Sequence, residues 1–286
     1  MTNSQLTGRI IKDYCGYSLV DTDRGIFRCR QRGKNKTEPM AGDQVEFQLV
    51  NEEEGRIERI LPRKNCLTKP PVANLDQMLV VVSFLSPEFQ PQLLDRHLVS
   101  HDLPMAIVFN KQDLKVDEAW VKLYRAIGYS CVVCSTVIDQ GLAALRALTA
   151  DKVSVQIGPS GVGKSSIINA LCGQWQQRVE RVSQKIQRGK QTTRFVQFFQ
   201  IGPGAYLVDT PGFQLSGLPD NAEELMQRMP ELKQRFGQCR FNNCLHRAEP
   251  GCIIRVAVGH GDVAQSRYDS YLQFLGEIEK NERQKY

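Results

Sequence analysis

The stretch VSVQIGPSGVGKSSIINALC, residues 153–172, decides the fold. VSVQI is a short apolar run of the kind a buried strand uses, and SIINALC is a good helix start. Between them GPSGVGKS fits G-x-x-x-x-G-K-[ST] without a gap. A strand, a glycine-rich turn and a helix in that order surround a polyphosphate with backbone N–H groups and the positive end of the helix. Gly158, Pro159, Ser160, Gly161, Val162, Gly163, Lys164, Ser165 and Ser166 are therefore candidate phosphate-binding residues. Lys164 is suited to reach the β- and γ-phosphates, and Ser165 to ligate Mg²⁺. The flanking strand and helix set this stretch apart from a merely tight glycine turn.

Working outward, LVVVSF (79–84), MAIVF (105–109), CVVCS (131–135) and AYLVD (205–209) are further apolar runs typical of strands buried on both faces. Helix-like segments such as QLLDRHLVSHD (92–102) and DEAWVKLYRAIG (117–128) lie between several of them. The alternation predicts a mostly parallel sheet with crossover helices, whose ligands sit beyond the carboxyl ends of the strands. Residues 1–68 differ: LTGRII, GYSLVD, IFRCR, DQVEFQLV and GRIERIL are short β-like runs separated by turn residues, which suggests an OB-type barrel. Pro70-Pro71 reads as a linker. From residue 219 the pattern is mainly helical, interrupted by a Cys/His cluster, and ends in the amphipathic SRYDSYLQFLGEIEK. The expected domains are a barrel at 1–68, an α/β nucleotide domain at 72–218 and a helical zinc-binding domain at 219–286.

Hydrophobic residues at 41% and charged residues at 24% exclude disorder throughout. The longest apolar runs, such as MLVVVSFL at 78–85, fall far short of the roughly 18 residues that span a bilayer. The opening MTNSQLTGRI lacks the layout of a secretory signal, so a cytoplasmic protein is expected, with no membrane partner. A monomer is expected. Nine cysteines cannot all pair within one molecule, and in a reducing compartment their clustering suggests metal. The net charge of +6 is modest but concentrated. Arg28, Arg30, Arg32, Lys34 and Lys36 recur at every second position, and Arg178, Arg181, Lys185, Arg188, Lys190 and Arg194 stand against Glu180 alone. Two such stretches favour a polyanionic partner.

Two motifs complete a nucleotide site. VDTPG (208–212) follows an apolar run, placing the Asp209 carboxylate where it can contact Mg²⁺ and Gly212 where its N–H can meet a γ-phosphate. VFNKQDL (108–114) carries NKQD: Asp113 can accept the paired donors along the guanine edge, a pattern adenine lacks. Asn110 can bond the base and nearby backbone, the Lys111 stem can cover the ring, and Gln112 completes the loop. Ser135 and Thr136, also at a strand end, can offer a backbone N–H to the guanine carbonyl.

The order is unusual, because NKQD comes before the phosphate loop rather than after it. NKQD, Ser-Thr, GPSGVGKS, a Gly-x-x-Thr-Thr segment and DTPG, in that sequence, resemble the circularly permuted GTPases of the RsgA (YjeQ) family. The resemblance covers nearly the whole chain. It implies GTP hydrolysis during late maturation of the small ribosomal subunit, with rRNA binding and stimulation by the ribosome. Two other functions stay open on the residues alone: a P-loop ATPase or kinase, and a nucleic-acid-binding module with a regulatory nucleotide site.

CRFNNCLHRAEPGC gives Cys239, Cys244, His246 and Cys252, spaced C-x4-C-x-H-x5-C, a closed set that suits one structural zinc. Cys131 and Cys134 form C-x-x-C inside a β-like run, where a redox pair is the weaker reading, and His97 and His101 read as structural. Many GTPases orient the attacking water with a Gln just after the D-x-x-G glycine; Phe213 stands there and cannot. In relatives of the RsgA family a histidine before the switch threonines is implied in that role. RGKQTTR places Gln191 at the matching position, which makes Gln191 the candidate for orienting water. Thr193, with Thr192 the alternative, is the candidate for the Mg²⁺ contact of the same segment.

Overall fold

The computed structural model describes residues 5–14, 16–31, 37–173, 196–210 and 217–284. Five strands open the chain: β1 (Gln5–Tyr14), β2 (Tyr17–Thr22), β3 (Gly25–Gln31), β4 (Gln44–Leu49) and β5 (Glu54–Ile60). They close into a barrel in the order β1-β2-β3-β5-β4. β3 and β5 run parallel, while the pairs β1/β2, β1/β4, β2/β3 and β4/β5 are antiparallel. Strand alternation turns Ile10, Val20, Phe27, Cys29, Val45, Phe47 and Ile57 into the barrel core. Arg28 and Arg30 flank the buried Cys29 and so face outward. The rest of that basic stripe, Arg32, Lys34 and Lys36, lies outside the described residues.

The segment around Pro70-Pro71 is a hairpin rather than a bare linker. β6 (Cys66–Thr68) and β7 (Pro71–Ala73) pair from Cys66↔Ala73 to Thr68↔Pro71. Pro71 is tolerated because it starts a strand at the end of a two-stranded ladder, where a missing N–H costs little.

The larger sheet contains β8 (Gln77–Val82), β9 (Met105–Phe109), β10 (Ser130–Val133), β11 (Val153–Ile157), β12 (Gln197–Gly202) and β13 (Ala205–Asp209), in the order β10-β9-β8-β11-β13-β12. β9/β10 and β11/β13 are parallel, and β12 is antiparallel to β13. Every residue of β8 and β11 is buried, including the polar Gln77, Ser154 and Gln156, as expected of mainly apolar strands covered on both faces. The helices α1 (Pro91–Val99), α2 (Glu118–Ile127), α3 (Leu142–Thr149) and α4 (Lys164–Cys172) accompany this sheet. The Asp117 carboxylate caps α2 by accepting from the Ala119 N–H, and Gly128 ends it at φ 112°. Four helices follow: α5 (Ala222–Gln227), α6 (Pro230–Lys233), α7 (Ile253–His260) and α8 (Gln265–Gln284). Among the described residues no helix is long and apolar enough to cross a membrane.

The chain divides into two compact units. The first holds Met1–Leu79, Gln140–Gln156 and Lys164–Phe213. Within it the Asp76 carboxylate accepts from the Val153 N–H at 2.8 Å and from Lys64 Nζ, and the Tyr206 hydroxyl donates to Asp21 at 2.6 Å. These bonds tie the barrel and hairpin segments to β11 and β13. The second unit holds Val80–Asp139, Ile157–Gly163 and Gln214–Tyr286. Its centre is an ionic cluster: fully buried Arg267 of α8 donates through Nη1 to Asp95 of α1 and through Nε to Glu231 of α6. Ser270 and Tyr124 also donate to Asp95, at 2.6 and 2.7 Å. Burial alone would lower the Arg267 pKa, but the two carboxylates outweigh it and hold the guanidinium charged. The C-terminal helices are thereby fastened to α1 and α2.

Candidate functional site

In the second unit the base-reading motif and the phosphate loop meet. Asn110 follows β9, is 1% exposed, and donates from Nδ2 to the Val162 carbonyl at 2.9 Å across 52 residues of sequence. Its backbone N–H is fixed by the Val82 carbonyl at 2.8 Å. Gly163 is required at the point of contact: its φ is +96°, and a Cβ there would lie 2.3 Å from Asn110 Nδ2. Gly158 is equally constrained at φ +134°, with a Cβ position 2.1 Å from the Val81 carbonyl oxygen. The loop therefore approaches β8 closely at Gly158 and Asn110 at Gly163, with the Val162 carbonyl held by Asn110.

The rest of NKQD is held by neighbours. Lys111 adopts the left-handed region at φ 63°, and its Nζ donates to the Ser86 carbonyl at 2.7 Å, which lays its stem along the loop. The Gln112 N–H donates to the Cys134 carbonyl at 3.1 Å. Asp113 is exposed, and the hydroxyl of fully buried Ser135 donates to its Oδ1. Ser135 Oγ also accepts from the Val137 N–H at 3.1 Å, so the serine locks both its own loop and the carboxylate. Thr136 is half-buried beside it. Ser135 takes one acceptor site of Oδ1 and leaves the exposed carboxylate with capacity on both oxygens, which is what it needs to receive paired N–H donors.

In the first unit, Lys164 begins α4 and Asp209 ends β13. Burial lowers the Lys164 pKa and the Asp209 charge opposes that shift; burial raises the Asp209 pKa and Lys164 opposes that. The pair is thus in mutual electrostatic contact and partly out of water. Ser165 and Ser166 are exposed on the first turn of α4, and Ser160 is exposed in the loop before it. Ser165 and Asp209 offer hard oxygen donors, the type that suits Mg²⁺. Gln191, Thr192, Thr193, Gly212 and Phe213 lie outside the described residues.

The four metal-ligand candidates converge. One ligand atom from each of Cys239, Cys244, His246 and Cys252 lies within 4.8 Å of the others. His246 Nδ1 stands 3.4, 3.3 and 3.4 Å from the three sulfurs. Nδ1 is therefore the nitrogen that shares the cluster, while Nε2 faces the Met226 sulfur at 2.9 Å. Burial lowers the His246 pKa against the pull of Glu249, favouring the neutral imidazole that a metal requires. The Glu249 carboxylate accepts from the Leu245 and Ala248 N–H groups at 2.7 and 2.9 Å, and the Tyr268 hydroxyl donates to the His246 carbonyl. A cluster with three thiols and an imidazole, sealed by Cys252 and His246 inside the helical core, can hold a metal ion.

The other cysteine pair offers no reactive thiol. Burial pushes Cys131 up to about 11 and Cys134 up to about 12, and the Cys134 thiol donates to Asn110 Oδ1 at 3.6 Å. Sequence reasoning did not find the supports of the base-reading loop. Ser86, Val82 and the Ser135 hydroxyl act through contacts made by folding, and no local spacing signals them.

A phosphate loop joined by Asn110 to an N-K-x-D loop that precedes it in the chain defines a circularly permuted P-loop GTPase. Comparison with known proteins is in accord. The family model described as RsgA GTPase matches residues 60–219, and that described as RsgA N-terminal domain matches residues 7–57. The chain is 40% identical to the small ribosomal subunit biogenesis GTPase RsgA of Caldanaerobacter subterraneus subsp. tengcongensis, covering 99% of both. It is 42% identical to the protein of that name from a Geobacillus species, covering 96% of this chain and 97% of the relative. Among solved structures it resembles YloQ, titled a circularly permuted GTPase, with TM-score 0.79, 34% identity and coverage of 97% and 96%. YjeQ from Thermotoga maritima matches with TM-score 0.76, 32% identity and coverage of 96% and 99%. The chain belongs to the RsgA family of GTPases. The ATPase or kinase alternative falls away with that membership.

Proposed function

We propose that this chain hydrolyses GTP while bound to the small ribosomal subunit during its late maturation, in the cytoplasm and as a monomer. The observation that carries the nucleotide reading is the Asn110–Val162 hydrogen bond, which joins a guanine-type loop to a phosphate loop. On this reading Asp113 accepts the guanine N1–H and N2 donors, and Lys164 and the N–H groups of 158–166 bind the phosphates. Ser165, Thr193 and Asp209 hold Mg²⁺, which when bound neutralises charge between the β- and γ-phosphates. Gly212 contacts the γ-phosphate and Gln191 orients the attacking water. Cys239, Cys244, His246 and Cys252 hold one structural zinc. Three modules carry these tasks: a barrel at 1–68, the nucleotide domain at 72–218 and the zinc domain at 219–286.

The ribosomal assignment rests on relatives known as small ribosomal subunit biogenesis GTPases, to which the chain aligns over nearly their whole length. The barrel surface supports an RNA partner. Tyr14 and Tyr17 stack with ring centroids 4.7 Å apart, Lys12 Nζ lies 5.2 Å from the Tyr14 ring, and Arg28 lies 4.5 Å over Tyr17. Aromatic faces flanked by cations suit bases and their phosphates. Eight described cysteines are free thiols, which suits a reducing compartment.

The test is GTP turnover with and without purified small subunits at two salt concentrations, comparing the chain with Lys164→Ala. Turnover that depends on Lys164 and rises with subunits, less so at high salt, is expected. Turnover indifferent to subunits would overturn the ribosomal reading, and turnover indifferent to Lys164→Ala the nucleotide reading.

A further inference from the structure

Gln156 lies on β11, two residues before Gly158, and is 2% exposed. Among the described residues neither its amide oxygen nor its amide nitrogen has a hydrogen-bond partner. A primary amide offers two donors and two acceptor sites, and burying it unpaired is worse for stability than burying a hydrocarbon of the same shape. Such a group calls for a cause. Polarity on this face is not in itself the cause: two residues earlier, Ser154 Oγ accepts from Gln77 Nε2 at 2.9 Å.

The register supplies a neighbour. β11 and β13 pair as Val153↔Tyr206, Ser154↔Leu207 and Val155↔Val208. Extended by one position beyond its last pair, that register brings Gln156 opposite Asp209, the residue that ends β13, and residues opposite one another in a parallel pair carry their side chains on the same face. Their backbones are then one strand spacing apart, about 4.8 Å, within reach of two side chains of this length. The hydroxyl of Thr210, 6% exposed and adjacent in sequence to Asp209, also has no partner among the described residues. Two buried polar groups with open valences among the described residues thus lie next to Asp209, one by strand register and one in sequence.

We propose that Gln156 is a positioning residue for Asp209: its amide N–H donates to one carboxylate oxygen when nucleotide and Mg²⁺ bind, fixing the other oxygen toward the metal. The inference rests on the Asp209 reading given above. Its physical logic is that of any outer-shell donor, which restricts a ligating group to one orientation and so raises metal affinity without touching the metal. The amide is the better choice here because a charged donor would compete with Mg²⁺ for the carboxylate.

Gln156→Met keeps the length and removes the amide. Two readouts test it: the Tm of the nucleotide-free protein, and affinity for a fluorescent GDP analogue as Mg²⁺ is titrated, with EDTA as baseline. The expected result is an unchanged or raised Tm, unchanged affinity in EDTA, and a Mg²⁺ half-saturation raised about 10-fold. Asp209→Asn is measured in parallel. If Asp209→Asn weakens the Mg²⁺ effect and Gln156→Met does not, the inference on Gln156 alone is overturned. If Asp209→Asn itself leaves the Mg²⁺ effect intact, the Asp209 reading fails and takes the inference with it. Gln156→Leu gives the same readouts should Gln156→Met not fold. Failure of both to fold, or a lowered Tm, would mean the amide serves the fold itself and would also overturn the proposal.

Discussion

Asp95 and Asp113 each accept a hydrogen bond from a serine hydroxyl, Ser270 for one and Ser135 for the other, yet their surroundings are opposite. Asp95 is fully buried and also receives Tyr124 and Arg267, so both its oxygens are used. Asp113 is exposed, and Ser135 is its hydrogen-bond donor among the described residues. The first carboxylate belongs to a buried ionic cluster in which both its own oxygens are taken, although Glu231 Oε2 and Arg267 Nη2 there have no hydrogen-bond partner among the described residues. The second is oriented by the protein and left with capacity for a ligand. Burial and strength of bonding therefore do not identify a functional carboxylate; an oriented group that is also open to solvent does.

Perturbation should separate the two regions, and the largest effect is expected in the complete one. Arg267→Met strands the Asp95 and Glu231 charges in the interior and should lower stability by about 3–5 kcal/mol, read from denaturant melts. Guanine-nucleotide affinity should stay unchanged at temperatures where the variant is folded. A matching loss of affinity would erase the distinction drawn here.

Asp113→Asn should do the reverse. GTP affinity should fall about 100-fold or more, because one guanine donor then faces an amide N–H, while stability moves little. Xanthosine triphosphate, whose base offers an acceptor at that edge, should bind the variant better than GTP does. Ser135→Ala sharpens the comparison. It frees Asp113 to rotate and should weaken GTP several-fold, about 1 kcal/mol, without altering the preference for guanine over adenine.

The smallest effect concerns His101. Burial, aided by Arg228, lowers its pKa from 6.5 to about 4. The unfolded chain then takes up a proton that the folded chain resists, so stability should decline as pH falls from 6.5 toward 4 and be complete above 6.5. After allowance for solvent screening the loss should be no more than about 1 kcal/mol. Melts of His101→Gln across that range should lack this component, while the response of nucleotide binding to pH should not change.

The amino-acid sequence by itself determined the features whose physics is local. A phosphate loop needs its glycines and lysine at fixed offsets, a metal cluster of this kind keeps its thiols and imidazole close along the chain, and short β-like runs between turn residues mark the barrel over residues 1–68. Only the tertiary structure decided how distant segments complete one another. It turned Pro71 into a strand start, seated Asn110 on Val162, aimed Ser135 at Asp113, and assembled Arg267 with Asp95 and Glu231. These contacts depend on strand register and loop packing across tens of residues, and a hydrogen bond between groups so far apart leaves no periodicity or spacing in the chain.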